Sequence, residues 1–167
     1  MKYGARLFEP RVGCLLHFDG SASDRGAVAW FADPRCAVSY QVLITDDGVV
    51  HRLAPDDARA YHAGVCQPSD REHYPYADAN SAFYGVAVAA TDGDVVTAKQ
   101  FQSVVETCVG YYRRHGWGPD EMGRITGHSA EAWPRGRKHD PEGSWAVPVL
   151  DVGQVRAAVA TALTGSV

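Results

Sequence analysis

No apolar run in this chain approaches the roughly 20 residues that a helix needs to cross a bilayer. The N-terminal stretch MKYGARLFEPRVGCLLHFDG lacks the uninterrupted apolar core of a signal peptide, because Arg6, Glu9, Pro10 and Arg11 break it. There is no CxxC pair among Cys14, Cys36, Cys66 and Cys108, and without an export signal reduced thiols are expected. Cys14 and Cys108 fall in apolar-patterned segments and read as small packed hydrophobes. An excess of positive charge is missing too. The formal net charge is −4, which argues against broad electrostatic binding to nucleic acid or to an anionic membrane. No repeat, low-complexity tract or linker divides the 167 residues, so one domain over 1–167 is expected. With 46% hydrophobic and 22% charged residues, the composition is that of a globular chain long enough to bury a sizeable core.

Strand and helix patterns are what the chain does have. Val12 to Phe18 is a short apolar run and reads as a buried strand. Arg25 to Ala32, rich in Ala and aromatics and followed by Pro34, reads as a short helix. Val38 to Thr45 and Val49 to Leu53 are β-branched runs around Asp46-Asp47-Gly48, a strong hairpin signal. Tyr84 to Thr91 is a further strand. Thr97 with Gln100 makes a capping box before an apolar stripe at Phe101, Val104, Val105, Cys108 and Tyr112, and Gly116 ends that helix. Asp151 caps a last helix with a stripe at Val152, Val155, Val159, Ala162 and Leu163. Strands followed by helices predict an α/β fold, a sheet with helices on its faces. The stretch from Val65 to Ala79 is long for a structureless connection, and such loops are often binding loops.

The stretch GHSAEAWPRGRKHDPEG brings His128, Lys138, His139 and Asp140 into one loop full of Pro and Gly. His17 stands at the end of the first strand, before Asp19-Gly20-Ser21. A histidine there opens into whatever cleft the loops form and can meet the second loop in space. Two histidines and one carboxylate are the ligand set of many catalytic zinc sites, leaving the fourth position to water. Lys138 and Asp140 are two apart, so an extended segment points them to the same side. These residues alone leave a solvated polar loop as an open alternative.

The ordered set LLHFDGSAS, VSYQVLITDDGVVHRL, AYHAG, NSAFYGVAV, ITGHSA and GRKHDPEG resembles the zinc-dependent N-acetylmuramoyl-L-alanine amidases. That superfamily includes phage lysozyme-type amidases and peptidoglycan recognition proteins. The resemblance covers about residues 11–160 and implies a central mixed sheet flanked by helices, with zinc in a groove. It implies hydrolysis of the amide between N-acetylmuramic acid and L-alanine of the stem peptide, with peptidoglycan as the partner. By its pattern His17, His128 and Asp140 are the Zn2+ ligands. Lys138 stabilises the oxyanion and Tyr40 serves the attacking water as the catalytic pair. His62, as a groove histidine, is expected to contact substrate. Two further contacts are read from the residues themselves: Trp133, beside Pro134 in the ligand loop, and Asn80, which otherwise holds the loop before the strand.

One departure is that Ala87 and Ala89 stand where some members carry glutamates, so proton transfer falls more heavily on Tyr40. The expected setting is a monomeric phage endolysin, made in the cytoplasm and acting on the wall. A cytosolic muropeptide-recycling amidase and a non-catalytic peptidoglycan-binding module are the alternatives. Trp30, Trp117 and Trp145 are expected to pack, His115 to be a helix-end cation, and His51 and His73 to be structural.

Overall fold

The computed structural model describes residues 3–5, 10–66 and 78–165. Most of the Val65–Ala79 segment, and His73 with it, lies outside the described residues. In chain order the elements are β1 (Tyr3–Ala5), β2 (Gly13–Phe18), α1 (Asp24–Ala32), β3 (Val42–Ile44), β4 (Val50–Arg52), β5 (Ala58–Ala60), α2 (Ala79–Ala82), β6 (Phe83–Val88), α3 (Ala98–His115), a 3-10 helix (Pro119–Arg124), β7 (Ile125–Gly127), α4 (His128–Glu131) and α5 (Val152–Thr164). Five strands form one mixed sheet in the order β4-β3-β6-β2-β7. β3, β6, β2 and β7 run parallel, and β4 is antiparallel to β3. β1 and β5 pair separately, antiparallel.

Local chemistry sets the ends of these elements. Thr97 Oγ1 accepts the Gln100 N–H and Gln100 Oε1 accepts the Thr97 N–H, so α3 starts on the expected box. It stops at Gly116, whose φ of 68° puts it in the left-handed region. Asp151 Oδ1 accepts the Gln154 N–H at the start of α5. Asp46-Asp47-Gly48 turns β3 into β4, with Gly48 at φ 83°. The expected strand over Val38–Thr45 narrows to Val42–Ile44, because Ser39 N donates to the Tyr61 carbonyl of a loop and not to a strand. The strand expected to reach Thr91 ends at Val88, since Asp19 Oδ1 accepts the Ala90 N–H where a ladder partner would stand.

The period-2 pleat divides the sheet into two unlike faces. Leu16, Ile44, Val86 and Val88 point one way, against Val104, Cys108, Val155 and Val159 of α3 and α5, and form the main core. Cys14 and Cys108 are free thiols buried in that layer. Leu15, Leu43, Phe83 and Ala87 point the other way, toward α1, Tyr40 and the loop around Ala63. His17 lies two residues after Leu15, and so on this second face. Both faces are covered, which is why the central strands read as unbroken apolar runs.

Candidate metal centre

Leu16 of β2 pairs with Gly127 of β7 in a parallel register. One residue further along each strand, His17 and His128 stand side by side, their ring centroids 4.7 Å apart. Both occupy the carboxyl ends of adjacent parallel strands, the edge where open α/β sheets form their ligand crevices. His128 is placed sharply, because the chain leaves β7 at Gly127 and enters α4 at once. A Cβ on Gly127 would lie 2.7 Å from Pro141 Cδ, so only glycine lets the 140s loop pack this close. That loop returns along Ser129, whose N–H donates to the Asp140 carbonyl at 2.7 Å.

Asp140 Oδ2 lies 2.7 Å from His17 Nδ1 and 3.0 Å from His128 Nδ1. The three donor atoms lie within 4.8 Å of one another and all three residues are buried. Their outer contacts define what they can do. His128 Nε2 is 2.8 Å from the Ala63 carbonyl, which only accepts, so Nε2 carries the proton. Its other nitrogen, Nδ1, is left facing the Asp140 carboxylate. Burial lowers the His17 pKa to about 4, against the opposing pull of Asp140, so His17 is neutral near pH 7. Burial opposes ionisation of Asp140, but the hydrogen bonds to His128 and His17 outweigh it and hold the carboxyl far below its ordinary range. Two imidazole nitrogens and one carboxylate oxygen converge here within 4.8 Å of one another, and each nitrogen can exchange its proton for a metal. The residues therefore fit a divalent metal held by two imidazole nitrogens and one carboxylate oxygen, with one tetrahedral position open.

Two adjoining cavities of about 340 and 390 Å³ open beside this cluster, sharing His62, His128 and Lys138 in their walls. Tyr40 is buried against His17 at a centroid distance of 5.0 Å. Its burial, then the Asp140 and Asp19 charges, push its phenol well above the ordinary tyrosine range. Lys138 is exposed at the mouth and, with Asp140, lines the first cavity, although Asp140 sits in a turn and not in the expected extended run. His62 Nδ1 is 3.0 Å from His17 Nε2, behind the metal-facing side of that ring. Burial lowers its pKa well below the usual value, and His17 and His128 add to the effect. Asn80 is buried and lines the second cavity, and its Oδ1 accepts the N–H of both His62 and Ala63 at 2.8 Å. Trp133 is 47% exposed and lies outside the linings of both cavities.

Two expectations about tryptophan need correction. Trp30 does not pack away but is 47% exposed in the wall of the first cavity, and Trp145 is 70% exposed. Trp30 lies next to buried Phe31 on α1, and a one-residue step around a helix turns a side chain by about 100°. Trp117 does pack, stacked on His115 at 4.4 Å. Asp19 was also missed as a wall residue; only its place in a turn after His17 pointed to it. Ala87 pairs in register with His17 on β6 and is fully buried, so no carboxylate reaches the site from that position.

The sequence profile of the N-acetylmuramoyl-L-alanine amidases matches residues 10–143. Over 126 residues the chain is 32% identical to the 1,6-anhydro-N-acetylmuramyl-L-alanine amidase AmpD of Enterobacter cloacae. That match takes in 73% of this chain and 62% of the relative. The AmpD of Escherichia coli is also 32% identical over 112 residues, so the chain spans about three fifths of the length of these curated relatives or less. A crystal structure of a selenomethionine derivative of AmpD superposes with a TM-score of 0.73 at 26% identity, covering 94% of this chain and 89% of that one. The fold is shared with AmiD of E. coli, solved with anhydro-N-acetylmuramic acid-L-Ala-D-gamma-Glu-L-Lys. Its TM-score is 0.69 at 18% identity, covering 92% of this chain and 60% of that one. With the profile spanning well over half of its residues, the chain belongs to the N-acetylmuramoyl-L-alanine amidase family.

Proposed function

We propose that this protein is a zinc-dependent hydrolase of the amide between N-acetylmuramic acid and the L-alanine of a stem peptide. The observation that carries the reading is the buried convergence of His17 Nδ1, His128 Nδ1 and Asp140 Oδ2 beside an open groove. When bound there, Zn2+ supplies Lewis acidity to the scissile carbonyl and to the attacking water.

The chain's own groups do the rest. Tyr40, kept protonated by burial and by Asp140, is a hydrogen-bond donor at neutral pH and orients water. Lys138 places an ammonium at the groove mouth for the oxyanion that develops on the carbonyl oxygen, a contribution of about 3 kcal/mol for a well-placed donor. The groove continues past His62 toward Asn80 and Arg137, giving the peptide an extended path. Likeness to AmpD supports a recycling amidase acting on soluble anhydromuramyl peptides, in preference to an endolysin acting on whole wall.

The test is mass spectrometry of zinc-loaded protein incubated in parallel with an anhydromuramyl tetrapeptide and with purified sacculi. A new N-terminal L-alanine from the soluble fragment, lost in His128→Ala, is expected. Turnover of sacculi alone would restore the endolysin reading. Binding without product would leave a recognition module.

A further inference from the structure

Both histidines of the triad make their outer hydrogen bonds to two consecutive residues. His128 Nε2 meets the Ala63 carbonyl at 2.8 Å, and His17 Nε2 meets His62 Nδ1 at 3.0 Å. The first contact admits one arrangement, since a carbonyl has no proton to give. The second admits two. When His17 Nδ1 gives its lone pair to the metal, Nε2–H donates to His62 Nδ1. If His62 slipped, the ring could carry its proton on Nδ1, where it blocks a metal.

The His62–Ala63 dipeptide is itself held by one atom. Asn80 Oδ1 accepts the N–H of His62 and the N–H of Ala63, each at 2.8 Å. Asn80 is buried at 7% exposure. It is braced from both sides: Asp78 pairs with Arg59 at 2.7 Å, and the Ser81 carbonyl accepts from Arg11 at 3.0 Å. A side chain that satisfies two adjacent buried donors fixes the rotation of the peptide unit between them. That unit carries one outer acceptor on each side.

We propose that Asn80 is the positioning residue of the metal centre, setting the tautomer and aim of His17 and His128 together through His62 and Ala63. The proposal rests on the reading above that the triad holds Zn2+.

The test uses the full chain and competition with a zinc-binding dye. Asn80→Ala is expected to weaken zinc about 10–100-fold, the usual effect of losing an outer partner. Asn80→Asp, which keeps an acceptor oxygen in place, is expected to restore most of that loss. An independent measurement needs no variant. Side-chain 15N spectra of the zinc-loaded wild type should show protons on Nε2 of His17 and His128 and none on Nδ1 of His62.

Wild-type zinc affinity in folded Asn80→Ala overturns the proposal while leaving the metal reading intact. So does a proton on His62 Nδ1. A wild type that binds no zinc overturns the metal reading, and the proposal with it.

Discussion

Replacing Gly85 by alanine tests the geometry of the centre without touching a polar group. A Cβ built there lies 2.8 Å from both Cγ and Cδ2 of His62 and 3.1 Å from its Nδ1. Carbon atoms in favourable contact sit about 3.5–4.0 Å apart, so the imidazole or β6 must yield by about 0.7 Å. His62 has little room, since its Nδ1 lies 3.0 Å from His17 Nε2 and its N–H is fixed to Asn80. A shift of that size along the contact stretches it to about 3.7 Å, beyond hydrogen-bonding range. Overpacking of this kind costs about 1–3 kcal/mol of stability. Loss of the outer partner of His17 should add a drop of about tenfold or more in zinc affinity. Urea denaturation with and without zinc reads both numbers. Gly110→Ala is the control: it lies mid-way along α3, exposed, with nothing within 4 Å of the new Cβ. It should stabilise by about 0.5–1 kcal/mol. If Gly85→Ala matches wild type in both stability and zinc affinity, the close-packed account of His62 is refuted.

Other outcomes follow from the same geometry. Burial lowers His17 from 6.5 to about 4, so between those values the unfolded chain takes up a proton that the folded chain excludes. In metal-free protein that contribution is complete above pH 6.5 and is lost as pH falls toward 4, about 3 kcal/mol in all. Denaturation midpoints between pH 7 and pH 4.5 should fall accordingly, less so in His17→Leu; a flat profile would contradict the buried neutral imidazole. Lys138→Met should lower kcat on a muramyl peptide about 100-fold or more with KM little changed, as expected for a donor to the oxyanion. Equal kcat values in steady-state assays would remove Lys138 from that role. Arg11→Met should destabilise strongly, by about 3 kcal/mol or more, because the Ser81, Phe83, Asp56 and Ala58 carbonyls each lose a guanidinium donor, and of these Ala58 keeps a second one in Gln41 Nε2. Thermal melts check this, and a shift of only a degree or two would be too small.

Local chemistry was readable from the sequence alone. The Thr97–Gln100 box, Gly116 after α3, the Asp151 cap and the Asp46-Asp47-Gly48 turn all depend on residues within a few positions of one another. Their outcome was therefore written in the spacing. The ordered motifs indicated the family and the mixed sheet. The convergence of the site was another matter. His17 and Asp140 are 123 residues apart, and their meeting at 2.7 Å depends on the β2–β7 register and on Gly127 letting the 140s loop close. β7 itself, only Ile125–Gly127, is too short to show a period, and burial between β2 and α5 makes it a strand. Trp30 reached the groove wall because of how α1 is rotated against the sheet, which the neighbouring Phe31 decides by filling the core. Asn80 gave no sign of its double bond to His62 and Ala63, since hydrogen bonds to backbone N–H groups across 17 and 18 residues leave no trace in residue type or spacing. The sequence determined which elements form and what chemistry they carry. Tertiary packing alone decided which lone pairs face one another.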